Sequence, residues 1–133
     1  MTLRRLHRAH WEVLAVCGAR GDCPLLGFLA GLEARFAADG RAMLRLLAFV
    51  AEQGPPRNVE ISHKIAGEIW EFIAGRLRVL WFYDEGRLVV CSHGFLKRTR
   101  KTPGGEIERA QAACEAYQAA KKNRTLKVEE SIQ

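Results

Sequence analysis

Residues 69–103, IWEFIAGRLRVLWFYDEGRLVVCSHGFLKRTRKTP, leave this chain few folds to choose from. Two runs, 76–83 and 88–93, are dominated by apolar, aromatic and β-branched residues. Asp84-Glu85-Gly86 between them supplies a glycine for a left-handed turn position. That is the pattern of a β-hairpin. The second strand leads into Lys97-Arg98-Thr99-Arg100-Lys101, four cations in five residues, closed by Thr102-Pro103. A sheet ending in such a cluster offers a surface to a polyanion, because Lys and Arg neutralise the phosphates that dominate nucleic-acid affinity.

The rest of the chain supports one soluble domain. It has 133 residues, enough to bury roughly two thirds of the unfolded surface. A hydrophobic share of 48% with 27% charged residues is that of a globular protein. No run of about 18 apolar residues is present, so no membrane span is expected. The basic N-terminus lacks the apolar core of a secretory signal, and a cytoplasmic protein is expected. Cys17, Cys23, Cys91 and Cys114 have no CxxC spacing, which fits buried free thiols better than a metal site or a disulfide framework. A net charge of +6 suits an acidic partner such as nucleic acid.

Upstream, 10–17 (HWEVLAVC) predicts a first strand, followed by the turn run Gly18-Ala19-Arg20-Gly21-Asp22. Pro24 opens a helix at its first turn. Leu25, Phe28, Leu29, Leu32 and Phe36 recur at helical spacing up to a break at Asp39-Gly40, with Phe28 and Leu32 expected in the core. A second helix carries Met43, Leu44, Leu46, Leu47 and Val50 and stops at Gly54-Pro55-Pro56. So short a break predicts an antiparallel helical hairpin over about 24–52. Residues 58–67 are ambiguous, and 68–73 predict a strand. A helix restarts at Pro103-Gly104-Gly105-Glu106 and runs to about Lys121, with Ile107, Ala110, Cys114 and Tyr117 on one face. Residues 122–133 are expected to be a mobile tail beyond a single domain over 1–121. The fold class is α+β, with helices on one face of a mainly antiparallel sheet.

A three-residue turn pairs Tyr83 with Arg87 and so sets Arg78 opposite Ser92, on the face of Leu80 and Val90. Arg76 and Gly94 would extend that face, and a Gly94-Phe95 turn would start the basic loop. Arg78 and the loop could then converge on one phosphate; the plainer outcome is an Arg78–Glu71 ion pair. His93, at a strand end beside the cations, is a candidate acid or base or a structural histidine. His63-Lys64 is a second small basic element or a plain strand end. There is no GxGxxG, P-loop, HExxH or GxSxG motif, no carboxylate pair and no metal-ligand cluster, and no cofactor is expected. RNA cleavage by the substrate's own 2′-hydroxyl fits what remains. It needs positioning, a proton acceptor and donor, and cations for the charge on phosphorus.

Over residues 11–121 the chain resembles the RelE/HigB superfamily of toxins, in its phage-derived HigB-like branch. The likeness is carried by Trp11-Glu12-Val13, Cys23-Pro24-Leu25 with Phe28-Leu29 and Leu32, Trp70-Glu71-Phe72, Arg78-Val79-Leu80, and the run from His93-Gly94-Phe95 to Thr102-Pro103. It extends through Glu106-Ile107 and Ala110. The resemblance implies a RelE/ParE-like fold and a type II toxin. Such a toxin is a metal-independent mRNA endonuclease, commonly ribosome-dependent, that inhibits translation. It also implies neutralisation by a partner antitoxin with a helix-turn-helix domain. On this reading Arg78, Lys97, Arg98 and His93 are the catalytic candidates, while Arg76, Arg100, Lys101 and Lys64 contact RNA. Arg78 matches the family's phosphate-contacting strand arginine, and Arg98 with Lys97 matches its basic position after the last strand. Two departures stand out. Ile73 occupies a position where many members carry arginine, and Pro103-Gly104-Gly105 occupies the region where some RelE-type toxins have a tyrosine. The general base stays open between Lys97 and His93. The other reading is a non-catalytic binding module of the same fold acting elsewhere, as ParE-like relatives act on gyrase.

Overall fold

A computed structural model describes residues 1–130. Seven strands form one mixed sheet: β1 (Thr2–Arg8), β2 (Glu12–Val16), β3 (Ser62–Ala66), β4 (Ile69–Ala74), β5 (Leu77–Asp84), β6 (Leu88–Leu96) and β7 (Lys127–Glu130). Their order is β3-β4-β5-β6-β2-β1-β7. The meander β4 to β6 is antiparallel, as expected, and β3, from the ambiguous stretch 58–67, joins it antiparallel to β4. Two pairs, β2 with β6 and β1 with β7, are parallel. Three helices complete the α+β fold: α1 (Pro24–Ala30), α2 (Ala37–Gln53) and α3 (Gly104–Lys122).

The helices lie on both faces of the sheet, not on one. Residues alternate across a strand, so β5 sends Val79 and Trp81 into the core under α1 and α2, and Leu80 and Phe82 into the core under α3. The first core joins Leu25 of α1 and Met43, Leu47 and Val50 of α2 to Val13, Phe72 and Val79. The second joins Ala110, Cys114 and Tyr117 of α3 to Leu14, Leu80, Phe82 and Val90. The expected helical hairpin is also corrected. The break falls at Gly31–Glu33 and is followed by a 3-10 turn at Ala34–Phe36. Asp39-Gly40 lies inside α2, with Gly40 buried. Of the first helix Leu25 is the fully buried residue, while Phe28 and Leu32 pack half-buried at the margin of the core.

Both ends of the chain add strands that were not expected. β1 pairs antiparallel with β2. Where a mobile tail was expected, Lys127–Glu130 pairs with β1; residues 131–133 lie outside the described part. All four cysteines are free and buried. No helix among the described residues is long and apolar enough to cross a membrane.

The β5–β6 register differs from the expected one. Gly86 and Arg87 both take left-handed backbone, at φ 82° and 60°. Asp84 pairs with Leu88 and Tyr83 with Val89. A bulge after Leu80 then leaves Ser92 without a partner, and Arg78 faces Phe95 instead of Ser92. Leu80 and Val90 do share the face of Arg78, but Gly94 turns to the other one. A Cβ there would meet the Phe28 ring at 2.5 Å, so glycine lets α1 lie close on β6. Gly94-Phe95 is accordingly strand and not turn, and the basic loop begins at Lys97.

Candidate functional site

The site lies where β4 turns into β5 and β6 runs out. The turn is held from three directions. Gly75 has φ 57°, and a Cβ on it would meet the Asp39 carboxylate at 2.2 Å. That carboxylate accepts the Arg76 backbone N–H at 3.1 Å. The Arg78 guanidinium donates from Nη1 to the carbonyls of Gly75 (2.7 Å) and Leu77 (3.0 Å). Backbone N–H of Lys97 then donates to the Arg76 carbonyl at 2.8 Å, which sets the start of the basic loop against the turn.

Glu71 ties this end together. Its side chain is fully buried on β4, two residues before Ile73, the residue paired with Arg78. Oε1 lies 3.6 Å from Arg78 Nε and 3.3 Å from His63 Nε2, and Oε2 accepts the Thr102 hydroxyl at 2.6 Å. The expected Arg78–Glu71 proximity is therefore present, at a separation longer than a hydrogen bond. The basic loop is pinned at both ends, by Lys97 to the turn and by Thr102 to the sheet. Inside it, the Thr99 hydroxyl donates to the Lys101 carbonyl at 2.7 Å. Burial lowers the Arg78 pKa, and the Glu71 charge opposes that shift.

Two adjoining clefts open here. One, of about 550 Å³, is lined by Arg35, Phe36, Arg76, Leu96, Lys97 and Arg98. The other, of about 460 Å³, is lined by Gly75, Arg76, Arg78, Lys97, Arg98, Thr99 and Arg100. Arg76, Lys97 and Arg98 belong to both, and among the described residues no carboxylate lines either. Arg78, its side chain only 13% exposed, is a held guanidinium beside the exposed cations Arg76, Arg98 and Arg100. Such a cluster attracts phosphate, and the planar fork of arginine offers it two-point contacts.

Of the expected site residues, Arg76, Arg78, Lys97, Arg98 and Arg100 are thus brought together. Lys101 is exposed in the same loop. Lys64 lies elsewhere, on β3 beside Trp70 and Tyr83. His93 is 1% exposed and faces α3; its ring nitrogens meet Ser92 Oγ at 2.9 Å and Glu106 Oε1 at 3.2 Å. Burial lowers its pKa, the Arg109 charge adds to that, and Glu106 opposes it. Two participants escaped the sequence reading. Arg35, over the Phe36 ring at 4.7 Å and 3.2 Å from Glu33, passes for a solvated residue when the helix is read straight through it. Glu71 shows in the sequence only as a potential partner of Arg78, since nothing local announces that Thr102 and His63 converge on it.

Fold and site together define an α+β protein with a cationic cleft at one end of a mixed sheet, lined by no carboxylate among the described residues. Residues 29–115 match the family model described as Phage derived protein Gp49-like (DUF891), and the chain belongs to that family. This is a RelE-like, toxin-type family of toxin–antitoxin systems. The match spans every residue lining the two clefts. No curated protein matches the chain.

Proposed function

We propose that this protein is a HigB-like type II toxin with a RelE/ParE-like fold. It cuts mRNA, most productively on the ribosome, and is held inactive by a helix-turn-helix antitoxin. The observation that carries the reading is the convergence of Arg76, Arg78, Lys97, Arg98 and Arg100 on one cleft, with Arg78 fixed by two carbonyls. In the reaction the 2′-oxygen bonds to phosphorus and the bond to the 5′-oxygen breaks. One proton leaves the 2′-hydroxyl and one arrives on the leaving oxygen. Charge grows on the phosphate oxygens, and cations already in place stabilise that charge without reorganising. No metal is required by this scheme. Of the two candidates for proton transfer, Lys97 stands on the cleft wall, whereas His93 is enclosed with both ring nitrogens engaged. Lys97 takes the catalytic role here, and His93 positions the start of α3 through Glu106.

The test is single-turnover cleavage of an mRNA on programmed ribosomes, with folding checked by circular dichroism. Arg78→Ala and Arg98→Ala should each slow cleavage by about two or more orders of magnitude, as for the loss of one preorganised donor. RNA binding should weaken far less, and growth inhibition should vanish. Arg78→Lys should recover only part, since an ammonium lacks the planar fork. Wild-type rates from both alanine variants would refute the site.

One observation favours a second reading, the non-catalytic binding module with another target such as gyrase. Ile73 stands opposite Arg78, and neither tyrosine reaches the cleft: Tyr117 donates to Asp84 at 2.5 Å, and Tyr83 lies at the far end of β5. A wild-type protein that never cleaves RNA, with or without ribosomes, would put that reading first.

A further inference from the structure

At the opposite end of β5 from the cationic cleft, aromatic rings are stacked outward from the core. Phe72 and Trp81 lie with centroids 4.5 Å apart at 21°, and Trp81 and Trp70 lie 5.5 Å apart at 27°. Phe72 and Trp81 are fully buried, while Trp70 is half-buried. The stack therefore ends on a ring at the surface. Tyr83, 40% exposed, meets Trp70 edge-on at 5.5 Å, and Trp11 tilts onto Tyr83 at 6.0 Å. Trp11, Trp70 and Tyr83 line a cleft of about 620 Å³, with Arg57, His63 and Lys64 on the same wall. Among the described residues, no carboxylate lines it. The neighbouring cleft, of about 690 Å³, shares Lys64, Trp70 and Tyr83 but is walled by Glu68, Asp84 and Glu85. Charge thus separates two clefts that share one aromatic ridge.

We propose that the first of these is a second nucleic-acid contact. It takes a base of single-stranded RNA against Trp70 and Tyr83 and a neighbouring phosphate on Arg57 and Lys64. The proposal rests on the RNA-cleaving function above, for which this cleft holds a flanking nucleotide. A planar base extends a stack of planar rings whatever its sequence, and cations beside the rings meet its phosphate. An acidic protein segment would satisfy the charges but leave the stack without a planar partner. Arg78 and Tyr83 are five residues apart on β5, about 17 Å along the strand, and their side chains point to opposite faces of the sheet, so an RNA strand joining the two contacts passes around the margin of the sheet.

The test uses the full chain and a short 2′-O-methyl RNA, which cannot be cleaved by its own 2′-oxygen, beside the same strand made abasic. Both carry the same phosphates. The wild type should bind the base-bearing strand roughly tenfold more tightly, the size of one base–aromatic stack, with quenching of tryptophan fluorescence. Tyr83→Ala and Trp70→Ala should lose most of that preference, and Trp70→Phe should keep part. Arg57→Ala with Lys64→Ala should weaken both strands alike. Equal affinity of the wild type for the two strands overturns the proposal, and that comparison needs no variant. So does a folded Trp70→Ala that keeps the preference, or one that loses only its affinity for an acidic partner protein. Strand preference without cleavage on ribosomes would remove the nuclease reading and leave this contact standing. Cleavage that depends on Arg78 and Arg98 without strand preference would do the reverse.

Discussion

The two faces of the sheet are built from different materials. Under α1 and α2 the buried residues are apolar apart from Ser62: Val13, Leu25, Met43, Leu47, Phe72, Val79 and Trp81 among them. Under α3 the same strands bury Leu80, Phe82 and Val90, but the half nearer the basic loop encloses Glu71, Ser92 and His93. Enclosed polar groups cost stability unless they are paired, and even paired ones contribute no more than apolar residues of the same size. The first face therefore contributes to stability with little polar cost. The second gives up apolar burial to hold a loop and a guanidinium in place. Stability and site are thus divided between the faces, and three substitutions test that division.

The largest effect belongs to the apolar face. Phe72→Ala removes a fully buried ring stacked on Trp81 and should cost about 3–5 kcal/mol, read from the urea midpoint. Activity per folded molecule should hold. A folded Phe72→Ala protein that cleaves far more slowly would break the comparison.

Glu71→Gln comes next. It keeps the shape and the acceptor for Thr102 but removes the charge facing Arg78 and His63. A loss of about 1–3 kcal/mol is expected, the cost of leaving a largely buried polar group without its partner. Amide exchange should quicken across residues 97–102 more than in α2. Uniform loss of protection throughout the chain would mean that Glu71 supports the whole fold and not the loop.

The smallest effect is a pH dependence. Burial lowers the folded-state pKa of His93, so below about pH 6.5 the unfolded chain takes up that proton first. Stability from this group is complete above pH 6.5 and falls as pH drops toward the lowered folded value, by at most about 1.4 kcal/mol per pH unit. Ser92, Glu106 and Arg109 are the polar groups around the ring. His93→Gln should flatten the dependence of Tm on pH between 7 and 5. The slope that remains includes His7, whose pKa burial also lowers. An unchanged profile would show that His93 is protonated alike in both states.

How much of this was legible in the sequence follows from where each signal resides. The β4–β6 meander, the start of the first helix at Pro24, the end of the second at Gly54 and the final helix are local patterns, and they were found. β1 was missed because only Leu3 of its seven residues is buried, and β7 because all four of its residues are exposed. Neither strand has a burial alternation to detect. The turn register moved Arg78 two places from its expected partner Ser92, and the bulge at Ser92, which has no sequence signature, moved it one more, to Phe95. Helical periodicity shows that α3 has an apolar side but not which side of the sheet receives it. The cationic loop was visible as composition, whereas Arg35 and Glu71 acquire their places only through tertiary contact.

The pairing of β2 with β6 also shapes how the chain folds. β3 to β6 join neighbours through short turns, so the meander that carries most of the cationic end can close quickly. β2 must find β6 across the whole stretch from Val16 to Leu88 and align parallel to it. Closing so large a loop is entropically expensive before its contacts form, and long-range pairing of this kind slows folding. Docking of the N-terminal ribbon is then the step expected to limit the folding rate. Until it is complete, β6 presents a bare edge rich in valine, and newly made chains are at greatest risk of joining one another there.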